Sequence, residues 1–570
     1  MPASSESAPA RVAGSGKKGP AARLVFLGGL GEIGRNMAAL ELGGEILLLD
    51  CGLSFPEEDM PGVDLVLPDW EYLRERKDAI RGAVLTHGHE DHVGALPYML
   101  REFEMEIYAT KLTLGMLKGK LEEHGVTKRA KLIEVTPDEG ETVAGPFTMR
   151  FHRVTHSIPD GVAVAIDTPA GTILHSGDFK LDQTPLDGRV TDLAGISEEG
   201  RRGVHLFLSD STNAEDSGSV PSEREVGPVL EDIFRKARGR IVTACFSSHV
   251  HRVQQICDAA RAVGRKVAFL GRSMNQNMAV AGELGYLSLP EADVVPLESI
   301  KGMPPDSVVV VSTGSQGEPM SALSLMAAHE NKWVKLQPGD TVVLSSSKIP
   351  GNETSINRTI DGLYRTGADV FHVPHAAVHV SGHAAGEELQ TMLNLVKPRW
   401  FIPVHGEVRH LLHHARLAEE VGVPRERILI CEDGDVVDVK ADRVWISGRV
   451  EAGVTYVDGL GIGDVGEAVL RDRRKLAGDG FAIVVVTVDR HSGAILGGPE
   501  IIQRGFVYDE EGGEILEEGR HRVELRLKET AADGVSDPGV LKDHIRRTLA
   551  KHFFEATKRK PVIVPVIMEV

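Results

Sequence analysis

Four side chains able to bind metal stand within six residues of "VLTHGHEDHVGALP": His87, His89, Asp91 and His92, spaced H-x-H-x-D-H. Neutral imidazole nitrogens and carboxylate oxygens are the donors that zinc and manganese take. The apolar run ending at Val84 and Leu85 predicts a strand, and "VGALPYML" beyond predicts a helix opening, so the donors occupy the turn between. Four donors on one turn face one cavity but cannot all reach one ion. Further ligands are therefore expected at later strand ends. His156 in "RVTHSIPDGVAVAID" follows a short strand, Asp178 in "GTILHSGDFKLD" follows an apolar run and a small-residue turn, and His405 in "RWFIPVHGEVRHLLHH" marks another strand-to-helix step. Each alone is an ordinary polar residue. Together they share one placement, just past the C-terminal end of a strand, where the sites of layered α/β proteins gather.

The elements around these residues must be read with one tempting motif in view. "GGLGEIGRN" carries G-x-G-x-x-G at Gly29, Gly31 and Gly34 after the apolar run 24–27, with Asp50 sixteen residues beyond Gly34. A dinucleotide turn requires a helix after the glycines, because the pyrophosphate rests on that helix's N-terminus. Here "NMAALELGGEILLLDCG" is cut by Gly43-Gly44 into two short apolar runs, which predicts a β-hairpin. The glycines are read as shaping a tight turn, and Asp50 as a strand-end residue.

At 570 residues, 42% hydrophobic and 26% charged, the chain has room for about three or four domains of ordinary globular composition. No stretch approaches the roughly 18 consecutive apolar residues of a membrane span. Residues 1–21, rich in small residues, Pro and Gly and lacking an apolar core, are expected to be a disordered extension and not a signal peptide. Cys51, Cys245, Cys257 and Cys431 form no C-x-x-C and are expected to be buried thiols of a cytoplasmic protein. A net charge of −19 argues against a general polyanion binder unless cations and local Lys/Arg patches line one groove.

More than 200 residues separate Asp178 from His405, and they alternate strand with helix: "GRIVTACFSS", "KVAFLG", "SVVVVSTGSQGEP" and "TVVLSSS" each precede a helical stretch. This predicts a doubly wound parallel α/β domain inserted into the first one. Three of its strands run into turns rich in Ser, Thr and Gly (Ser247-Ser248, Ser312 to Gly317, Ser345 to Ser347), which present N–H groups and hydroxyls suited to a phosphate. After a Gly-rich linker, "FAIVVVTVD", "PEIIQRGFVY", two helical stretches and "PVIVPVIMEV" predict a small α+β domain. One of its helices, "LKDHIRRTLAKHFFEATKRK", holds seven Lys/Arg against two acids; it is read as a solvated face or an RNA guide.

The order H-x-H-x-D-H, His, S-G-D, P-V-H-G resembles the metallo-β-lactamase superfamily. The inserted domain, with "LSDSTNAE" at Asp210, "VHVSGHAAGEEL" at His383 and "PVHGE" at His405, resembles its β-CASP nucleases. "GGLGEIGRNM", "THSIPDGVAVAI", "SGDFK" and "HVSGHA" narrow the resemblance to the bacterial ribonuclease J family over about residues 22–570, with no departure at a ligand position. The resemblance implies an αββα sandwich at residues 22–222 and 386–450, a β-CASP domain at 223–385, a linker at 451–466 and the α+β domain at 467–570. It implies one ion on His87, His89 and His156 and a second on Asp91, His92 and His405, with Asp178 bridging; Asp91 and Asp178 also count as catalytic. Asp50 and Asp210 are expected to stand behind the ligands and orient them.

The implied activity is hydrolysis of RNA, endonucleolytic and 5′→3′ exonucleolytic with preference for a 5′-monophosphate, in RNA maturation and decay. Two Zn²⁺ or Mn²⁺ ions about 3.5–4 Å apart would share the attacking hydroxide and clamp the phosphate. His383 has no ligand partner at metal spacing and is expected to contact the scissile phosphate or protonate the leaving 3′-oxygen. A terminal-phosphate pocket is expected from His379, Val380, Ser381, Gly382 and His383 opposite Ser247, Ser248 and His249. Phe55 is read equally as a base-stacking or a core residue. Gly62, Asp64 and Asp458 are candidates for a structural Ca²⁺-like cation, with turn capping as the alternative. Single-stranded RNA, a homodimer or higher assembly through the C-terminal domain, and other RNA-decay proteins are the implied partners. The competing readings are a small-molecule metallo-hydrolase such as a thioesterase, a DNA-directed β-CASP nuclease, and a non-enzymatic RNA-binding scaffold, which a lost ligand would have signalled.

Overall fold

A computed structural model of the chain describes residues 22–570 except 58, 138–139, 317–320, 349–351 and 508, and leaves out the side chains of 509–512. The extension 1–21 and Gly317 of the second serine turn lie outside the described residues. The chain divides into two compact units, one running to Phe55 and from Leu65 to Thr455, the other comprising Pro56–Asp64 and Tyr456–Val570.

The first unit holds the expected sandwich. Its eight-stranded sheet runs Val444–Arg449, Asp435–Val439, Ala22–Gly28, Met37–Leu42, Glu45–Leu49, Ile80–Val84, Met105–Ala109, Ala130–Glu134. Facing it, a six-stranded sheet runs Trp400–Val404, Val204–Asp210, Gly171–His175, Val162–Thr168, Phe147–Arg153, Glu141–Ala144. Strand alternation sorts the layers, because successive side chains point to opposite faces. Leu206 and Leu208 join Leu24, Phe26, Leu40 and Leu47 between the sheets. Phe207, between them in sequence, turns outward to Ile196, Leu389 and Met392 of the helices Leu193–Arg202 and Gly386–Val396. Each fully buried Leu or Phe contributes about 1.5–3 kcal/mol.

The glycine motif resolves as the second reading expects. Met37–Leu42 pairs antiparallel with Glu45–Leu49 across Gly43 and Gly44, both at positive φ (63° and 88°) as a tight primed turn requires. No crossover helix follows Gly34, so a pyrophosphate has no helix N-terminus to rest on.

The insertion is an all-parallel sheet ordered Lys266–Leu270, Val308–Ser312, Ile241–Ala244, Thr341–Leu344, Asp369–Phe371. Helices cover both faces: Leu230, Phe234, Val253 and Met274 pack on one, Leu323, Met326, Ile356 and Leu363 on the other. Burial on both sides explains why "VVVV" at 308–311 is continuous and not alternating.

The second unit contains a sheet ordered Ile495–Arg504, Phe481–Val488, Val562–Glu569, the first pair antiparallel and the second parallel, backed by Asp509–Ala532 and Pro538–Thr557. It differs from expectation in a third helix, Glu467–Asp479, which buries only Leu470 and so has no apolar stripe for a sequence pattern to register. Residues expected as linker also pair, Val457 with Ile462 and Asp458 with Gly461. Among the described residues no helix is long and apolar enough to cross a membrane.

Candidate metal centre

The candidate ligands are brought together by strand ends of both sandwich sheets. After Ile80–Val84 the chain turns through His87 and into the short helix Glu90–Val93, with His89 at its N-cap. Main-chain bonds hold this turn from the neighbouring loop: Leu53 N donates to Glu90 O (3.0 Å), Cys51 N to His92 O (2.7 Å) and Asn36 N to Asp91 O (3.0 Å). The loops approach so closely that a Cβ on Gly52 would stand 1.6 Å from the Asp91 carbonyl oxygen, so only glycine fits there. His156 follows Phe147–Arg153, Asp178 follows Gly171–His175, and His405 follows Trp400–Val404.

Two donor sets result. In the first, His89 Nδ1 lies 3.0 Å from His87 Nε2 and 3.2 Å from His156 Nε2. In the second, His92 Nε2 lies 3.6 Å from Asp91 Oδ2 and 3.1 Å from Asp178 Oδ2, and His405 Nε2 lies 3.4 Å from Asp91 Oδ2. Within each set the donor atoms all fall within 4.8 Å of one another. Asp178 Oδ2 is also 3.7 Å from His87 Nε2 and 4.0 Å from His156 Nε2, so one carboxylate stands between the sets.

The donor set fits divalent cations. Tetrahedral bonds of about 2.0–2.1 Å to zinc place neighbouring donors about 3.3 Å apart, close to the spacings of the first set. In each imidazole the outer nitrogen meets a polar partner, that of His89 being Ser157 Oγ (3.2 Å), which turns the other nitrogen inward. His87 Nδ1 meets Thr86 Oγ1 (3.1 Å), His156 Nδ1 donates to Gly382 O (2.7 Å), His92 Nδ1 meets Asp50 Oδ2 (2.8 Å) and His405 Nδ1 meets Asp210 Oδ1 (3.2 Å). Burial holds His87 and His156 well below the usual histidine range and lowers His89 to about 4, so these three are neutral donors. Burial pulls His92 and His405 down as well, but Asp178 and the other carboxylates beside them outweigh it, raising His92 strongly and His405 to about 10. Asp50, Asp91, Asp178 and Asp210 form a concentration of negative charge that cations would offset.

Asp50 accepts from Thr86 N and Oγ1 (2.8 and 3.0 Å) besides His92. Asp210 serves two histidines, since its Oδ2 lies 2.8 Å from His383 Nδ1. The sequence spacing left His383 without a metal-ligand partner, yet in space it joins Asp178, Asp210 and His405 in a third cluster. The shared carboxylate Asp210 takes up His383 Nδ1 and leaves Nε2 to face elsewhere.

"HVSGH" runs beside the first donor set. A Cβ on Gly382 would stand 2.8 Å from His156 Cε1, and Asn213 Nδ2 fixes the segment by donating to Ser381 Oγ (2.8 Å) and His383 O (2.9 Å). Across from it, the His249 ring lies 6.3 Å from that of His379, and Ser247 accepts from Asn277 through its carbonyl oxygen (3.1 Å). Ser248 begins the turn into Val250–Ala262, and Val380 packs on the inserted domain's core. Phe55 is 48% exposed, which removes its core reading. In the second unit, Arg473 donates to Pro61 O and pairs with Asp458, and Gly459 N donates to Asp64 Oδ2 (2.7 Å). A guanidinium thus stands beside Asp458, where the sequence placed a Ca²⁺-like cation near Gly62, and Asp64 caps a turn.

Sequence reasoning missed Thr86, Asn213, Glu223 and Arg252. They lie in turns or helices with no spacing signal of their own and acquire partners only through the fold.

Four stretches match family descriptions: "Metallo-beta-lactamase superfamily" at 30–217, "Ribonuclease J, beta-CASP domain" at 238–363, "Zn-dependent metallo-hydrolase RNA specificity domain" at 375–430 and "Ribonuclease J C-terminal domain" at 468–570. Ribonuclease J of Mycolicibacterium smegmatis is 47% identical over 549 residues, covering 96% of this chain and 97% of that protein. The chain belongs to the ribonuclease J family. Ribonuclease J of Thermus thermophilus is 45% identical over 96% of this chain and 95% of its own length. Ribonuclease J of Helicobacter pylori is 38% identical over 95% of this chain and 79% of its own length. A solved structure of a protein of unknown function from Enterococcus faecalis V583 covers 73% of this chain and 99% of its own at a TM-score of 0.51 and 15% identity, a likeness of fold alone. Family membership, the metallo-β-lactamase sandwich and the β-CASP insertion agree with the resemblance drawn from the motifs.

Proposed function

We propose that this ribonuclease J family member hydrolyses RNA phosphodiester bonds at a centre of two divalent ions, zinc or manganese. It cuts internally and from the 5′ end, prefers a 5′-monophosphate, and serves cytoplasmic RNA maturation and decay. The observation that carries the reading is the single carboxylate oxygen of Asp178 standing between two complete donor sets. Bound ions would acidify water and offset charge on the non-bridging phosphate oxygens.

The protein's own groups do the rest. His87, His89 and His156 would hold one ion and Asp91, His92 and His405 the other, with the Asp178 carboxylate available to both. Asp50 accepts a hydrogen bond from His92 Nδ1–H, and Asp210 accepts from Nδ1–H of His405 and of His383, which turns Nε2 of His92 and His405 toward the centre. His383, held at Nδ1 by Asp210, gives a proton from Nε2 to the leaving 3′-oxygen, and the product carries a 5′-phosphate. Burial lowers the His383 pKa, but the Asp210 and Asp178 carboxylates outweigh it and raise it, which favours the proton-donating form. His379, Val380, Ser381 and Gly382 with Ser247, Ser248 and His249 receive a terminal phosphate, and Phe55, exposed at the end of the Asp50 loop, stacks on a base.

The test compares linear RNA with 5′-monophosphate or 5′-triphosphate, circular RNA and DNA of the same sequence, metal by metal. Cleavage of circular RNA and faster loss of the monophosphate substrate are expected. Cleavage of DNA in preference to RNA would reassign the substrate, and inactivity with every metal would leave the scaffold reading standing.

The strand Val562–Glu569 is a sheet edge with Val564, Val566 and Met568 exposed. Such an edge favours pairing with another chain, and we assign residues 467–570 the homo-oligomer contact. Deleting them is expected to lower the assembly state in sedimentation. An unchanged assembly would place the contact elsewhere.

A further inference from the structure

We propose that Arg252 is a positioning residue that locks His379 in one tautomer, with its proton on Nε2, so that a neutral N–H donor faces the 5′-terminal phosphate. This rests on the reading of "HVSGH" as the terminal-phosphate pocket.

Arg252 is fully buried on the helix Val250–Ala262. Its Nε and Nη2 hold both oxygens of Glu223 (2.7 and 2.8 Å), a bidentate pair that fixes the guanidinium plane. Glu223 is itself anchored: its N–H donates to Asp182 Oδ2 (2.9 Å), and Gln255 Nε2 donates to its Oε1 (2.8 Å). Lys180, two residues beyond Asp178, stands 3.5 Å from Asp182. The charged network therefore reaches from the sequence neighbours of the bridging carboxylate to the guanidinium.

The remaining guanidinium nitrogen, Nη1, faces four acceptors. They are Ser345 O (3.1 Å), Ser345 Oγ (2.6 Å), Val378 O (3.0 Å) and His379 Nδ1 (3.2 Å). Ser345 Oγ also donates to Val378 O (2.6 Å), so the third serine turn and the start of "HVSGH" are tied to the same group. A guanidinium in a protein stays protonated and only donates. An Nδ1–H on His379 would point one N–H at another across 3.2 Å with no acceptor between them. Nδ1 must therefore carry the lone pair and Nε2 the hydrogen. Burial, then the Arg252 charge, also keeps the ring well below the usual histidine range, which agrees with a neutral donor. His379 is partly exposed. Beside it, buried His249 sets its Nε2 3.5 Å from Glu223 Oε1, on the same carboxylate that holds Arg252, and its Nδ1 has no hydrogen-bond partner among the described residues.

An Arg252→Lys variant keeps the charge beside Glu223 but lacks the planar fork that reaches both Glu223 and His379. A Glu223→Met/Arg252→Met double variant removes the buried pair together, which avoids stranding either charge should the single variant not fold. In the full-length, metal-loaded protein, the ratio of kcat/KM for 5′-monophosphate over 5′-hydroxyl RNA is expected to fall about tenfold in either folded variant, the loss of one hydrogen bond to a charged group. The change should fall mainly in KM, whereas a general loosening of the fold would lower kcat on both substrates alike. Ring ¹⁵N shifts of His379 in the wild-type protein should report protonated Nε2 and unprotonated Nδ1. An unchanged ratio in a folded variant, or a wild-type His379 protonated at Nδ1, overturns the lock. A wild-type protein that does not distinguish the two RNA ends contradicts the pocket reading itself, a result separable from the ¹⁵N outcome.

Discussion

Asp178→Asn is expected to lower RNA cleavage by about 10³-fold or more and to release at least one bound ion per chain. The magnitude follows from several kcal/mol of transition-state charge stabilisation by metal at about 1.4 kcal/mol per factor of ten. Asp178 Oδ2 lies 3.1 Å from His92 Nε2 and 3.7 Å from His87 Nε2, so it belongs to the environment of both donor sets. The amide is neutral, which removes the negative charge that holds two cations near one another, and it can turn an NH₂ group toward them. Metal content by mass spectrometry and single-turnover cleavage check the result together. Full occupancy with full activity would remove Asp178 from the centre.

His383→Ala is expected to behave differently, keeping both ions and RNA binding while turnover drops by about 10²–10⁴, the range of general acid–base groups. The distinction rests on Nδ1, which Asp210 holds at 2.8 Å. That bond orients the ring and leaves a single nitrogen for chemistry. His383 nonetheless stands near Asp178 and His405, so its removal offers a sharp choice between roles. Loss of an ion on substitution would make it a ligand, and wild-type turnover would make "HVSGH" a structural turn. The comparison is single-turnover cleavage with ion content measured on the same samples.

The legible part of this protein was the part written in local pattern. His87, His89, Asp91 and His92 announce themselves because metal-binding side chains crowded into six residues are rare, and His156, Asp178 and His405, which the fold brings beside them, because each follows an apolar run. Gly43-Gly44 separates hairpin from helix, and the strand-helix alternation of the insertion predicts its parallel sheet. What escaped was cooperative. Glu467–Asp479 has one buried residue and no stripe to read. The exposure of Phe55 depends on where its loop ends, and the guanidinium beside Asp458 comes from Arg473, fifteen residues away. Arg252 meets Val378 and His379 across more than 120 residues, and only folding brings those groups together.

The most direct test of the two-ion account is diffraction from metal-soaked crystals at the zinc and manganese absorption edges. The account predicts two anomalous peaks about 3.5–4 Å apart, one against His87, His89 and His156, the other against Asp91, His92 and His405, with Asp178 touching both. A single peak, or two peaks that Asp178 does not bridge, would contradict it.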